Sequence, residues 1–150
     1  MSVRSVAQLL SRLPLFEGSD PAHLQMLAFA SERAKFETGG TIIEAGQHSR
    51  AAYLILAGEA EIFVGGRSVA QAKTGALLGE LTMIADSDYA IRAVATEPVS
   101  VALITRDVFM RVVSEFPEFG ARVHNTLAAR FGGSIGDFAR LHDLFATSKG

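Results

Sequence analysis

The 150-residue chain has no cysteine and no tryptophan, and its basic residues nearly balance its acidic ones. Without cysteine there is no disulfide, thiolate metal site or cysteine nucleophile. A net charge of −2 argues against nucleic-acid binding that depends on an overall positive charge. The longest stretch without a charged side chain is the eleven residues 21–31. A membrane-spanning helix needs about 20 apolar residues, so we expect no membrane span.

The N-terminus has no long apolar stretch of the kind that a secretory signal requires, so we expect a cytoplasmic location. Hydrophobic residues make up 49% of the chain and charged residues 20%, which indicates a folded protein. This length predicts a single domain over residues 1–150. Its parts differ in character: residues 1–32 are helical in pattern, residues 33–105 are strand-like, and residues 106–150 are helical again.

The two ends of the chain carry helix signals. Apolar residues spaced three and four apart from Val6 to Leu13 predict a first helix. Asp20 and Pro21 predict the N-cap and first residue of a second one. Near the other end, Thr105 can cap a helix and Pro117 can open the next. An apolar stripe at helical spacing then comprises Phe119, Val123, Leu127, Phe131, Ile135, Phe138, Leu141 and Phe145. We expect a break in it at the glycine pair Gly132 and Gly133.

Short apolar runs separated by glycines fill the middle of the chain. In residues 59–64, acidic and apolar side chains alternate at first, as in a half-buried strand. Gly65 and Gly66 follow and predict a two-residue hairpin turn, because both positions tolerate positive φ. Many short strands at this spacing favour a small sandwich or barrel.

One stretch in the middle could be a binding site. Gly75 and Gly79 precede residues 80–84, which we predict to form one short helical turn. A glycine loop that leads into a helix N-terminus presents backbone N–H groups suited to a phosphate. From these residues alone the signal is weak, because glycines in ordinary strand turns are the commoner explanation of an isolated motif. The negative charge of Glu80 could likewise simply interact favourably with the N-terminus of a helix.

Four separated motifs make the pattern more specific. They are residues 13–16 (LPLF), 36–46 (FETGGTIIEAG), 53–58 (YLILAG) and 75–81 (GALLGEL). Together they resemble cyclic nucleotide-binding domains, the effector modules of catabolite-activator-type regulators, cyclic-nucleotide kinases and gated channels. The resemblance covers about residues 9–131. It implies an α+β, mainly β fold: an antiparallel β jelly-roll barrel flanked by N-terminal helices and C-terminal lid helices.

The resemblance also implies a nucleotide site. Its candidate residues are Gly79, Glu80, Leu81, Thr82, Tyr89, Ala90, Arg92 and Arg130. Glu80 matches the glutamate that accepts a hydrogen bond from the ribose 2′-hydroxyl. The amides around Leu81 and Thr82 would face the cyclic phosphate. Arg130, on the lid helix after Pro117, matches a base-contacting arginine of some bacterial channel domains, and Phe131 could pack on the purine. The alternative is that Arg130 is solvated and Phe131 belongs to the core.

The sequence differs from the family at the residue that would contact the phosphate. The resemblance implies an arginine just after the short helical turn and its loop, where the family normally pairs it with the phosphate. That position holds Tyr89 here, which offers one neutral donor. Arg92 could compensate only through a bulge or an altered loop, since strand positions 89 and 92 point to opposite faces; otherwise it is a surface arginine. Asp86 and Asp88 add negative charge to the same loop. Ala90 lacks the hydroxyl that cGMP-selective members often carry, which favours cAMP over cGMP.

No catalytic pattern is visible, so we expect no enzyme activity and no cofactor or metal beyond the nucleotide ligand. The four histidines form no His-x-His or His-x-x-x-His pair, so a cupin-type metal site lacks its ligands. We expect each of them at the surface: His23, His48, His124 and His142. No Gly-x-Ser-x-Gly elbow occurs.

The sequence therefore predicts a regulatory module that senses a cyclic nucleotide and moves its C-terminal helices on binding. The alternative is a degenerate member of the same fold that binds no nucleotide and acts through an unidentified protein partner. Residues 117–150 hold four basic and three acidic side chains, so we expect no DNA binding. The stripe from Ile135 to Phe145 predicts a homodimer, with folding back onto the barrel as the alternative.

Overall fold

The computed structural model describes residues 1–130, in which helices flank a strand-rich centre on both sides. The helices are α1 (Val3–Ser11), α2 (Pro21–Ala30), α3 (Arg106–Glu115) and α4 (Pro117–Arg130), with short 3₁₀ turns at Pro14–Phe16 and Glu80–Met83. The strands are β1 (Glu32–Phe36), β2 (Thr41–Ile43), β3 (Ala51–Ala57), β4 (Ala60–Val64), β5 (Arg67–Ala72), β6 (Leu77–Leu78), β7 (Arg92–Ala95) and β8 (Val99–Thr105).

The strands form two four-stranded antiparallel sheets. One has the order β1-β8-β3-β6 and the other β2-β7-β4-β5. Neighbours in a sheet are mostly distant in sequence, because the chain crosses repeatedly from one sheet to the other. The predicted mainly β jelly roll with flanking helices is confirmed.

Local signals placed several element boundaries correctly. The Asp20 side chain accepts a hydrogen bond from the Ala22 amide at 2.9 Å, and α2 begins at Pro21. Thr105 caps α3 in the same way, through the Val108 amide at 3.1 Å. These contacts confirm the predicted helix starts, because each satisfies an N–H group that the first helical turn leaves without an intrahelical partner.

The predicted hairpin is also present. Val64 pairs with Arg67, and the two glycines between them have φ of +58° and +81°. Positive φ at both central positions is the geometry in which a two-residue turn matches the twist of its strands. The glycine pair therefore connects β4 and β5 without strain.

Two hydrophobic clusters lie on opposite faces of the first sheet. Strand β3 contributes to both, with Leu54 and Leu56 packed toward the helices and Ile55 packed inside the barrel. Side chains alternate between the two faces of a strand, and both faces are covered here, so nearly the whole strand is apolar. The helix-side cluster also holds Leu81 and Met83, which anchor the turn predicted to carry the site.

One histidine prediction is wrong. His23 is only 8% exposed, and its ring lies 4.1 Å from that of Phe116 and 5.5 Å from that of Phe119, centroid to centroid. The imidazole has an apolar body that packs well on aromatic rings, so α2 uses it as a core residue against α4. His48 and His124 are exposed as expected, and His142 lies outside the described residues.

Other predictions also concern residues beyond Arg130. The break at Gly132 and Gly133 and the stripe from Ile135 to Phe145 lie outside the described part of the chain. Within residues 1–130, no helix combines the length and apolarity needed to cross a bilayer.

Candidate functional site

The turn Glu80–Met83, here called the cassette turn, is entered through Gly79 in a left-handed conformation. Gly79 has a φ of +73°. A Cβ atom at this position would lie 3.0 Å from Cε1 of Tyr89 and 3.4 Å from the Ala51 carbonyl oxygen. Both the positive φ and the crowding against the Tyr89 ring require glycine here. The predicted short helical turn after Gly79 is confirmed as a 3₁₀ turn.

Thr82 uses its polar groups within the turn. Its hydroxyl donates to the Gly79 carbonyl at 2.6 Å, and its amide donates to the same oxygen at 3.1 Å. A 3₁₀ turn is closed by this three-residue bond, so the Thr82 amide serves the turn rather than facing outward toward a phosphate. Leu81 lies beside it with a buried side chain in the helix-side cluster.

Glu80 is the one buried acidic side chain among residues 1–129, with an exposed fraction of 1%. Burying a carboxylate is costly unless it makes hydrogen bonds, and Glu is seldom found fully buried. Favourable interaction with a helix start needs no such burial, since a surface carboxylate provides it. Glu80 is therefore more deeply buried than an interaction with a helix start requires.

Tyr89 lies against the entry to the cassette turn and is 8% exposed. Its hydroxyl donates to the Ala51 carbonyl at 2.7 Å and accepts from the Ala51 amide at 3.4 Å. Its ring lies 6.5 Å from that of Tyr53, between centroids. Burial, and secondarily Tyr53, raise the pKa of the Tyr89 hydroxyl from 10.0 to about 12. The phenol is therefore neutral at ordinary pH, and its only proton is donated to the start of β3.

Arg92 lies on the outside of the barrel. Its Nε is 3.5 Å from the Glu44 carboxylate, and its guanidinium is 5.8 Å from the centroid of the Phe63 ring. Arg92 pairs with Phe63 across β7 and β4, so both side chains share the outer face, and the Arg92 side chain is 46% exposed. Of the two alternatives, the surface arginine is the one seen: Arg92 does not join the cassette. Ala90, between Tyr89 and this strand, is half-buried.

The acidic loop after the cassette turn holds Asp86 and Asp88, whose carboxylates are exposed to solvent. His48 Nε2 is 2.8 Å from the Asp86 carboxylate, and His48 Nδ1 is 3.5 Å from that of Asp88. All three side chains are more than half exposed. Their negative charge is therefore screened by solvent, and it opposes an anion at the cassette turn less than the sequence alone suggests.

Arg106 contacts the cassette and was not identified from the sequence. Its Nε donates to the Thr82 carbonyl at 2.7 Å, and one Nη donates to the Ala85 carbonyl at 2.9 Å and to the Ser49 carbonyl at 3.2 Å. Its only sequence signal was its place directly after the helix cap Thr105. That signal gives no information about contacts with residues far away in the chain.

The remaining candidate residues lie at or beyond the end of the described part of the chain. Arg130 is the last residue of α4, and the predicted contacts of Arg130 and Phe131 with a base lie outside the described side chains. Neither Glu80 nor Tyr89 lines any of five cavities of about 390 to 650 Å³ that open on residues 1–130. Across the same residues, no group of three or more His, Asp or Glu side chains is arranged to hold a metal ion.

Comparison with known proteins gives consistent matches. The family model of the cyclic nucleotide-binding domain matches residues 33–116. A cAMP-dependent protein kinase regulatory subunit from Hypocrea atroviridis is 31% identical over 110 residues, which is 73% of this chain and 24% of that protein. A cyclic AMP receptor protein from Thermus thermophilus is 25% identical over 122 residues, 78% of this chain and 56% of that one.

A solved structure has the same fold as this chain. The structure of a cyclic nucleotide-binding-like protein from Brucella abortus superposes with a TM-score of 0.67 at 31% identity, covering 73% of this chain and 98% of that one. The kinase regulatory subunits are much longer, and this chain spans about a quarter of the length of the one from Hypocrea atroviridis. The family-model match, the Brucella abortus structure and the buried glutamate after a left-handed glycine agree: the chain belongs to the cyclic nucleotide-binding domain family.

Proposed function

We propose that this chain senses a cyclic nucleotide and passes the signal on through the helices that follow its barrel. The observation that carries the proposal is Glu80, a buried carboxylate placed directly after left-handed Gly79. In the family that position accepts the ribose 2′-hydroxyl, and a carboxylate forms strong charge-assisted bonds with such a donor. The related regulatory subunits and the receptor protein are named for cAMP, which supports the same class of ligand.

We propose cAMP rather than cGMP as the preferred nucleotide. Ala90 stands directly after the family's arginine place and carries no hydroxyl. A guanine-selective site of this family often has a hydroxyl residue there. An alanine offers no side-chain donor or acceptor, so it supplies nothing that would favour guanine.

Tyr89 makes the proposed binding weak. A bound phosphate is a desolvated charge, and burying it without a cationic partner costs several kcal/mol. Tyr89 supplies no charge, and its hydroxyl is already bonded to Ala51. A cyclic phosphate would therefore be held by neutral donors, or would displace the phenol. We expect a dissociation constant well above that of a site with the arginine.

Calorimetric titration of the full chain with cAMP and with cGMP tests the proposal. We expect saturable binding of cAMP that is tighter than binding of cGMP, and no comparable binding of 5′-AMP, whose phosphate is not cyclic. Absence of binding by both cyclic nucleotides to a folded protein would refute the proposal. The degenerate module that acts only through protein contacts would then be the better account.

The role proposed is regulatory, as the names of the related regulatory subunits and receptor suggest. We propose that the protein passes on its signal through a homodimer contact made by Ile135, Phe138, Leu141 and Phe145. Light scattering on the full chain and on a chain ending at Arg130 checks this. We expect a dimer for the first and a monomer for the second. A full-length monomer across micromolar concentrations would instead favour folding back onto the barrel.

A further inference from the structure

The guanidinium of Arg106 closes the far end of the cassette turn. The side chain is 27% exposed and reaches the Thr82 carbonyl at 2.7 Å and the Ala85 carbonyl at 2.9 Å. The last carbonyls of a helical turn, here that of Thr82, have no intrahelical donor and need one from elsewhere, and the Ala85 carbonyl lies two residues beyond the end of the turn. A guanidinium provides several N–H groups in one rigid plane, so a single Arg106 side chain can satisfy both carbonyls.

The same side chain also contacts the segment before β3. One Nη of Arg106 donates to the Ser49 carbonyl at 3.2 Å, and the Arg106 amide donates to the Arg50 carbonyl at 2.8 Å. Nη1 also lies 3.6 Å from the Asp86 carboxylate. Asp86 is 70% exposed, and such surface ion pairs contribute little. The carbonyl bonds are therefore the main contacts of this side chain.

The segment 49–51 joins Arg106 to the binding-site residue Tyr89. Arg106 bonds the carbonyls of Ser49 and Arg50, while the Tyr89 hydroxyl bonds both the carbonyl and the amide of Ala51. Three successive residues thus connect the phosphate position to the first residue of α3. Because Arg106 also bonds the cassette turn, a shift of the turn or of Tyr89 changes the contacts of the same guanidinium.

We propose that Arg106 is a positioning residue, which holds the cassette turn in place and couples it to α3. It does not itself touch a nucleotide in this proposal. The coupling to a ligand rests on the proposed function, whereas the positioning of the turn does not. The two parts can therefore be tested separately on the same set of variants.

Hydrogen exchange on the full chain without nucleotide tests the positioning. In Arg106→Met, which keeps the aliphatic stem, we expect the amides of Thr82, Ile84 and Ala85 to exchange at least tenfold faster than in the wild type. Arg106→Lys should restore only part of the protection, since one ammonium cannot reach three carbonyls in one plane. Arg111→Met, an exposed arginine on the same helix, is the matched control and should leave these amides unchanged.

Exchange measured with and without saturating cAMP tests the coupling. In the wild type we expect cAMP to change the exchange of the first turn of α3 by at least threefold. In Arg106→Met this ligand-induced change should be lost even where cAMP still saturates the protein, which a merely structural role would not produce. If cAMP does not bind the wild type, the proposed function and the coupling fail together, while the ligand-free exchange still decides the positioning. Equal exchange of the cassette amides in Arg106→Met and Arg111→Met would overturn the whole inference.

Discussion

The two sides of the candidate site differ in how closely they follow the family. On the ribose side, Gly79 and Glu80 occupy the expected places, and the carboxylate is buried. On the phosphate side, Tyr89 replaces the arginine and bonds to Ala51 of its own barrel. The first side carries the polar group that the family places there, whereas the second side carries a different polar group, which bonds to the barrel itself. A family match alone therefore does not establish that both sides bind.

The difference has an energetic basis. The Tyr89 hydroxyl satisfies two backbone groups of Ala51 that would otherwise be buried and costly. An arginine at position 89 would need a counter-charge in the free protein, since a buried unpaired cation is strongly unfavourable. Tyrosine thus stabilises the barrel through Ala51, at the expense of affinity for an anion. The following variants separate these two effects.

Restoring the arginine should have the largest effect. In Tyr89→Arg we expect cAMP to bind about 10- to 100-fold more tightly, because a hydrogen bond to a charged group contributes about 1.5–3 kcal/mol. Tyr89→Phe, which keeps the ring against Gly79 and removes only the hydroxyl, is the control and should show no such gain. Titration calorimetry measures both. A wild type that binds tightly and an arginine variant that binds more weakly would mean that another cation serves the phosphate.

Removing the carboxylate tests the ribose side. In Glu80→Ala we expect cAMP to bind more weakly by about 1–3 kcal/mol, since the 2′-hydroxyl loses its charged acceptor. Glu80→Gln keeps the shape and should lose a smaller part. The matched ligand is 2′-deoxy-cAMP, which lacks the hydroxyl and should be nearly insensitive to Glu80→Ala. An equal loss for both nucleotides would show that Glu80 acts only on the fold.

Alkaline stability tests the Tyr89–Ala51 bond without any ligand. The pKa of Tyr89 is raised to about 12 in the folded state, against an ordinary value of 10.0. A group with a raised pKa stabilises the fold fully below its unfolded pKa, and this contribution is lost as pH rises from about 10 to about 12. Two pKa units correspond to about 2–3 kcal/mol, which is the largest loss in the free energy of unfolding that we expect over this pH range. Denaturant unfolding should therefore show the wild type losing its advantage over Tyr89→Phe across that window, and a constant difference would contradict the assignment.

The features that sequence reasoning predicted are those with local causes. Asp20 caps a helix two residues away, and Gly65 and Gly66 join strands that are adjacent in the chain. Gly79 leads directly into the cassette turn. In each case the residue type and its immediate neighbours determine the conformation, so a short stretch of sequence is enough.

The features that it missed depend on distant partners. Arg106 reaches Thr82 across 24 positions and Ser49 across 57, and Tyr89 reaches Ala51 across 38. His23 is buried because Phe116 and Phe119 fold back onto α2. No periodicity or spacing in one sequence specifies which distant backbone a side chain will meet. The burial of Glu80 could not be predicted from its neighbours either, although the resemblance of residues 75–81 to the family's motif identified it as a candidate site residue.

Arg92 should have the smallest effect, and it tests whether the comparison between the two sides is complete. Its contacts are an exposed pair with Glu44 and an outer-face contact with Phe63, each worth well under about 1 kcal/mol. In Arg92→Gln we expect less than a twofold change in cAMP affinity and a change of about 0.5 kcal/mol or less in the free energy of unfolding. Glu44→Gln removes the same ion pair from the other side and should match it in both measurements. A tenfold loss of cAMP affinity in Arg92→Gln alone, with stability unchanged, would show that Arg92 turns inward when the nucleotide binds. The phosphate side would then have a cation after all, supplied from β7 instead of from position 89, and Tyr89 would serve as the group that this arginine displaces.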